Sequence, residues 1–263
     1  MREIMRDKLS CLEGGREDAG PLLLLLHGLG ATKEVWAPVM ELLEARWPGA
    51  WIAPDFPGHG ASSPCAHDSY GAYAAAIASL VPKDRKVIIM GHSLGGVVGM
   101  LLGSGLFGFQ VSSVHALSVK VRWTAEEIAR ICEFSRTPAK YFDSKEEAVA
   151  RYLRVSGLHG LVGETAPSAQ AGVIAEGGRH RLAALPATNG VAGGDGDMVR
   201  SICKTPVFYA TGGADPIAPA EAFDALGMPV HVLPALAHNA HVQDPAAVCA
   251  WFLSTCQVTE AMS

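Results

Sequence analysis

The sequence predicts an α/β protein, a mostly parallel sheet with helices on both faces. Three observations carry that prediction. Short apolar runs alternate with longer amphipathic stretches along the 263 residues. One run leads directly into the glycine-flanked serine of Gly91-His92-Ser93-Leu94-Gly95-Gly96. Hydrophobic residues make up 49% of the chain and charged residues 18%, below the usual ~25% charged. Strands covered on both faces need that apolar content.

The elements follow in order. Leu22–Leu26 is the first strong strand, then turn residues and a helix over about Lys33–Arg46. Trp51–Pro54 is a second strand, with a helix within Ser69–Leu80. Val87–Met90 is a third, followed by a helix of small residues from Leu94 to about Ser104, and Val111–Leu117 is a fourth. Pro206–Ala210 and Val230–Leu233 complete the strands, and Pro245–Ser254 is a closing helix. The rhythm breaks between Leu117 and Pro206, where no clear strand appears. Thr124–Phe134 and Ser144–Val155 read as amphipathic helices, and Gly157 to Gly196 is rich in Gly and Ala. A structureless loop of that length does not suit a compact domain, so a mainly helical insertion is expected. Gly193-Gly194-Asp195-Gly196-Asp197 reads as a flexible return segment or hinge.

Composition excludes several classes. The longest apolar run, Leu22–Leu26, is five residues, far short of the ~18–20 that span a bilayer. Net charge is −5 and Lys and Arg form no cluster, against nucleic-acid binding. Met1–Ser10 has no apolar core of a secretory signal. The six cysteines are scattered with no C-x-x-C pair, which suits reduced thiols in a cytoplasmic protein.

The chemistry centres on Ser93. A strand, a tight Gly-x-Ser-x-Gly turn and a helix together form a nucleophile elbow, which lifts the hydroxyl above the sheet. A phosphate loop would need Gly-Lys-Ser/Thr, which is absent. Serine needs a general base. His238 lies after the last strand and before Asp244-Pro245, so serine comes first and histidine last, as an elbow hydrolase requires. His241 is a neighbour that packs or touches substrate. The His-x-x-His pair has no third metal ligand beside it, and no metal or cofactor is called for. Asp215, in the turn after Pro206–Ala210, is the acid that would fix the imidazole. The loop after Val111–Leu117 holds no carboxylate, and Asp244 reads as a helix cap. The turn His27-Gly28-Leu29-Gly30 can aim a backbone N–H at the space above Ser93, opposite the Leu94 N–H at the start of its helix. His27 then packs the turn. Asp55-Phe56-Pro57-Gly58-His59-Gly60 reads as a rigid turn supporting that loop.

On these motifs, from about residue 20 to 256, the sequence resembles the α/β-hydrolase fold superfamily. The resemblance implies Ser93, Asp215 and His238 as the catalytic set, with Leu29 and Leu94 as backbone oxyanion donors. It implies a seven- or eight-stranded sheet with a short first hairpin. A cap inserted after strand 6, residues 120–200, would cover a core of residues 1–119 and 201–263.

A serine at the elbow favours acyl chemistry on a small ester, thioester, lactone or amide. The alternatives are a C–C bond hydrolase of β-diketone-type substrates, acyl transfer to another acceptor, and a non-catalytic receptor. Trp36, Trp123, Phe134, Tyr141, Phe142, Tyr152 and Leu158 are the bulky candidates for pocket walls, most of them ordinary helix core. Lys120 and Arg122 are candidates to attract an acidic substrate group, with Trp123 and His241 as further substrate contacts. The expected partner is a small, largely apolar substrate, and the expected state a monomer or homodimer.

Overall fold

The computed structural model describes residues 1–16, 20–193 and 196–262. The chain opens on a hairpin, β1 (Arg2–Arg6) and β2 (Leu9–Gly15), turned by Asp7 and Lys8, both at positive φ. β3 (Leu22–Leu26) follows, then a 3-10 turn (Lys33–Trp36) and α1 (Ala37–Leu43). The sequence reads as one helix here, but Pro38 sits in the first turn of α1. With no N–H of its own it starts a helix well and continues one badly. Next come β4 (Ala50–Pro54), α2 (Tyr70–Ala78, capped by the Ser69 side chain), β5 (Val87–His92), α3 (Leu94–Leu102) and β6 (Val111–Leu117).

After β6 the chain leaves the sheet through α4 (Ala125–Ser135), β7 (Tyr141–Phe142), α5 (Lys145–Val155) and α6 (Pro167–Gln170). β8 (Val173–Glu176), β9 (Arg179–Leu182) and a 3-10 stretch (Pro186–Gly193) follow. It returns by α7 (Gly196–Ile202), β10 (Val207–Gly212), α8 (Ala220–Asp224), β11 (Val230–Leu233), α9 (Ala240–Gln243) and α10 (Pro245–Met262).

Among the described residues the main sheet has eight strands, ordered β1-β2-β4-β3-β5-β6-β10-β11. β1 and β2 run antiparallel to their neighbours and the other pairs are parallel. The alternation of strand side chains explains why β3 is five leucines. Leu22, Leu24 and Leu26 face the core under α2 and α3, and Leu23 and Leu25 face the core under α1 and α10. Neither face meets water, so neither can be polar.

The excursion between β6 and α7 differs from the sequence expectation in one respect. Its two predicted helices are present, each started by a side-chain cap, Thr124 on Glu127 N–H and Ser144 on Glu147 N–H. It also contains a three-stranded antiparallel sheet, ordered β7-β9-β8. These strands are two to four residues long and carry Glu176, Arg179, His180 and Arg181, so they form no apolar run. The signal that marks them is Gly177-Gly178, both at positive φ, the two-residue turn that a tight hairpin requires. α5 docks Val149, Tyr152 and Leu153 against the core that holds Trp36. Of the hinge expected at Gly193–Asp197, Gly194 and Asp195 lie outside the described residues, and Gly196 and Asp197 open α7.

One charged group lies deep in this frame. Lys33, buried, reaches Asp55 at 3.0 Å, Glu34 at 2.8 Å and Glu3 at 3.0 Å. Asp55 also accepts the Lys33 backbone N–H at 2.7 Å. Burial opposes the ammonium, but Asp55 and Glu34 outweigh it and push Lys33 up. At Asp55 burial, helped by the charge of Glu34, outweighs Lys33, and the carboxyl rises to about 6. At pH 8 both are charged. Lys33→Met would then leave a buried carboxylate unpaired, which costs about 3–5 kcal/mol. The expected result is a large fall in the urea unfolding midpoint at pH 8, with an unchanged slope.

Candidate active site

Ser93 stands between the end of β5 and the start of α3 at φ 51°, ψ −115°. A side chain at such an angle is strained, by about 1–3 kcal/mol, so its surroundings must hold it. Its N–H donates to the Leu117 carbonyl at the end of β6 at 2.8 Å. Its own carbonyl accepts from Gly96 N–H at 3.0 Å. The helix that follows lies hard against the sheet. A Cβ on Gly95 would stand 2.1 Å from the Leu26 carbonyl oxygen, and one on Gly91 2.3 Å from the Gly95 carbonyl oxygen. Both flanking glycines are therefore demanded by backbone contact rather than by flexibility.

Asp215 and His238 come from neighbouring loops, after β10 and after β11. The His238 ring donates from Nδ1 to Asp215, 2.9 Å to Oδ2 and 3.2 Å to Oδ1. Asp215 Oδ1 also accepts the N–H groups of Ile217 at 2.8 Å and Ala218 at 3.0 Å. With Nδ1 as donor, Nε2 is left with its lone pair. Burial raises the Asp215 carboxyl, but the bond and charge of His238 and the two N–H donors outweigh it and hold it below the usual range. His238 itself keeps 17% side-chain exposure, so it can be reached.

The two loops meet the elbow through His92, which no sequence motif singled out. Its Nε2 donates to the His238 carbonyl at 2.9 Å. Its ring lies 4.8 Å from that of His238 and 4.4 Å from that of His241. His241 in turn lies 4.7 Å from Trp36. His241 is fully buried in this stack, and burial pushes it to about 3. It therefore packs, and offers no surface to a substrate. Asn239 is a second residue the sequence did not reveal. Its side-chain amide donates to the carbonyls of Ser156 at 3.0 Å and Gly157 at 3.1 Å, tying the residue next to His238 to the end of α5.

The loop 27–30 lies directly on the elbow. A Cβ on Gly28 would stand 3.4 Å from Ser93 Cβ and 2.7 Å from His92 Nδ1. Gly30 N–H is spent on His59 Nε2 at 3.2 Å and Ala31 N–H on Gly28 at 3.2 Å. Among the described residues, the N–H groups of Leu29 and Leu94 have no hydrogen-bond acceptor within the chain. His27 and His59 brace the loop, as the sequence reading held. His27 Nε2 accepts Phe56 N–H at 3.0 Å while Nδ1 donates to Gly28 at 2.8 Å. Burial keeps both neutral, pushing His59 to about 4 and His27 well down.

Lys120, Arg122 and Trp123 stand elsewhere. They line a cavity of about 410 Å³ with Val97 and Met100, and neither Ser93, His238 nor Leu29 is part of its wall. Lys120 is occupied there, by Glu127 at 2.5 Å and by the face of Trp123 at 4.6 Å. A different cavity, of about 320 Å³, takes Leu29 and Gly30 into its wall, with Phe134 and Phe142 from the excursion. Trp36, Tyr152 and Leu158 are buried core. Among the described residues no three His, Cys, Asp or Glu side chains are grouped to hold a metal ion, and no helix is long and apolar enough to cross a membrane.

Sheet order, serine turn and loop placement define an α/β-hydrolase fold. The chain belongs to the alpha/beta hydrolase family, whose model matches residues 23–251. Curated relatives match over a shorter stretch. An uncharacterized protein of Mycobacterium bovis is 44% identical over 85 residues, 31% of this chain and 24% of that protein. A pimeloyl-[acyl-carrier protein] methyl ester esterase of Nitrosomonas europaea is 40% identical over 83 residues, 32% of this chain and 31% of the esterase. The match thus spans under a third of these relatives' length. Among solved structures, E-2-(acetamidomethylene)succinate hydrolase superposes with a TM-score of 0.79 at 23% identity, covering 96% of this chain and 98% of that one. At that identity the likeness is one of fold.

Asp215 has a measurable signature of its own. Its carboxyl is held low in the folded chain, against about 3.9 unfolded. It therefore contributes stability that is present above about pH 3.9 and lost as pH falls through the folded value. Urea midpoints of wild type and Asp215→Asn should differ at pH 6 and converge as acidification passes below that window.

Proposed function

We propose that the protein is a serine hydrolase that cleaves a small carboxylic ester through an acyl-enzyme. Ser93 is the nucleophile, His238 the base, Asp215 its partner, and Leu29 and Leu94 N–H the oxyanion donors. The observation that carries this reading is the strained Ser93 turn, flanked by two backbone N–H groups without acceptors. A helix start and a loop that leave such groups free beside a serine suit an oxyanion better than any structural role.

His238 Nε2 takes the Ser93 proton as Oγ attacks the ester carbon, and the carbonyl oxygen gains the negative charge. Leu29 and Leu94 N–H stabilise that oxygen, each by about 3–4 kcal/mol. The imidazolium formed at His238 is held by Asp215 and gives its proton to the leaving alcohol. Water then enters, His238 takes its proton, and the acyl group leaves Ser93 as a carboxylic acid while the serine regains its hydrogen. The curated relative named as a methyl ester esterase supports ester chemistry over the C–C alternative. We also read residues 120–200 as a cap over the site, because the cavity beside Leu29 takes its outer wall from that segment.

Turnover of short p-nitrophenyl esters tests this. Ser93→Ala should lower the rate by at least about 10⁴-fold and abolish labelling by a fluorophosphonate. Asp215→Asn should keep the labelling site but lower kcat by about 10⁴-fold, having lost the acceptor for Nδ1–H. Undiminished labelling of Ser93→Ala would show that another residue is the nucleophile.

A further inference from the structure

We propose that the cavity beside Leu29 selects substrates bearing an organic anion at the far end of an apolar segment, with Lys140 and Arg151 as its counter-charges. This rests on the serine-hydrolase reading and extends it to the class of substrate. Four observations support it.

The first is position. The cavity includes Leu29 and Gly30, the outer half of the loop whose Gly28 lies against Ser93. A molecule filling it lies against the loop that carries the proposed Leu29 donor, although Ser93 and His238 are not part of its wall. The second is its wall. Phe134 and Val155 are each 47% exposed, and Phe142 and Leu182 join them in the lining. Apolar side chains left open on a concave surface are typical of a ligand site.

The third is charge. The chain has 26 acidic and 21 basic residues, so a cavity drawn at random would hold carboxylates. Lys140 and Arg151 are the charged residues lining this one, and no carboxylate lines it. The fourth is that both cations are uncommitted. Lys120, Arg179 and Arg181 of the same segment are each paired with a carboxylate within 3.0 Å. No carboxylate lies within 4.0 Å of Lys140 or Arg151 among the described residues. Lys140 only overlies the Phe142 ring, at 5.2 Å. An arginine and a lysine at the rim of an apolar cleft fit a carboxylate, the arginine by two parallel bonds. The earlier expectation of an acidic group thus moves from Lys120 and Arg122 to this pair.

The anion can be carried by the acyl half or by the alcohol half of an ester, and two substrate pairs separate these. Mono-p-nitrophenyl adipate is set against p-nitrophenyl hexanoate, and the acetate ester of 6-hydroxyhexanoate against hexyl acetate. In one pair, wild type should prefer the anionic member, and the preference should shrink as salt is raised. The double variant Lys140→Glu/Arg151→Glu should lower the anionic-to-neutral ratio of kcat/KM by about 10-fold or more, chiefly through KM. Lys145→Glu/Arg154→Glu reverses two charges on the same segment outside this cavity and should move the ratio less than about twofold. Calorimetric titration with adipate reads binding without turnover and should weaken about 10-fold in the cavity variant alone. No preference in either pair, or an equal loss in both double variants, would overturn the inference. Failure of the serine-hydrolase reading would look different: no ester is turned over and Ser93 stays unlabelled, while adipate binding still reports on the cavity.

Discussion

The hydrogen bond from Ser93 N–H to the Leu117 carbonyl anchors the site, because it fixes a residue whose own backbone preference is elsewhere. A positive φ at serine persists only if neighbours over-determine it. Here the ends of three adjacent parallel strands do so. β5 supplies the residue, β6 accepts its N–H, and the Leu26 carbonyl at the end of β3 sits where any side chain on Gly95 would fall. Helix α3 can begin only with its first turn pressed onto the sheet, and its Leu94 N–H is left without an acceptor in the chain. Strand order, glycine positions and the serine turn are one constraint seen at three scales.

A second regularity concerns histidine. His27, His59, His92, His115 and His241 are all buried, and burial lowers each of them. Their rings act as neutral donors, acceptors or packing surfaces, as where His115 meets Ser113 and Thr255 at 3.0 Å. His238 differs in being partly exposed and in facing a carboxylate. Environment, not residue type, distinguishes the proposed base from a brace.

Much of this was legible in the sequence because it depends on local chemistry. Leu22–Leu26 and Val87–Met90 announce buried strands, Gly91 to Gly96 announces the elbow, and Asp215-Pro216 and His238 fall in loops after strands. What escaped was of two physical kinds. The small sheet of the excursion is made of short, charged strands, which hydrophobicity cannot flag, although Gly177-Gly178 marks its turn. Contacts between segments distant in the chain leave no local trace at all. The buried Lys33 looks like a solvated helix residue, and Asn239 like a loop residue. Lys120 and Lys140 are indistinguishable until Glu127 is seen to take the first.

The Asn239 amide carries a consequence for how the molecule works as a machine. Its two bonds to the carbonyls that end α5 join the outer segment to the residue beside His238. Such a linkage is reciprocal: whatever favours the docked α5 must equally favour the placed imidazole, by the same free energy. The two bonds therefore couple the position of the α5 end to that of the loop that carries His238, so neither shifts without cost to the other.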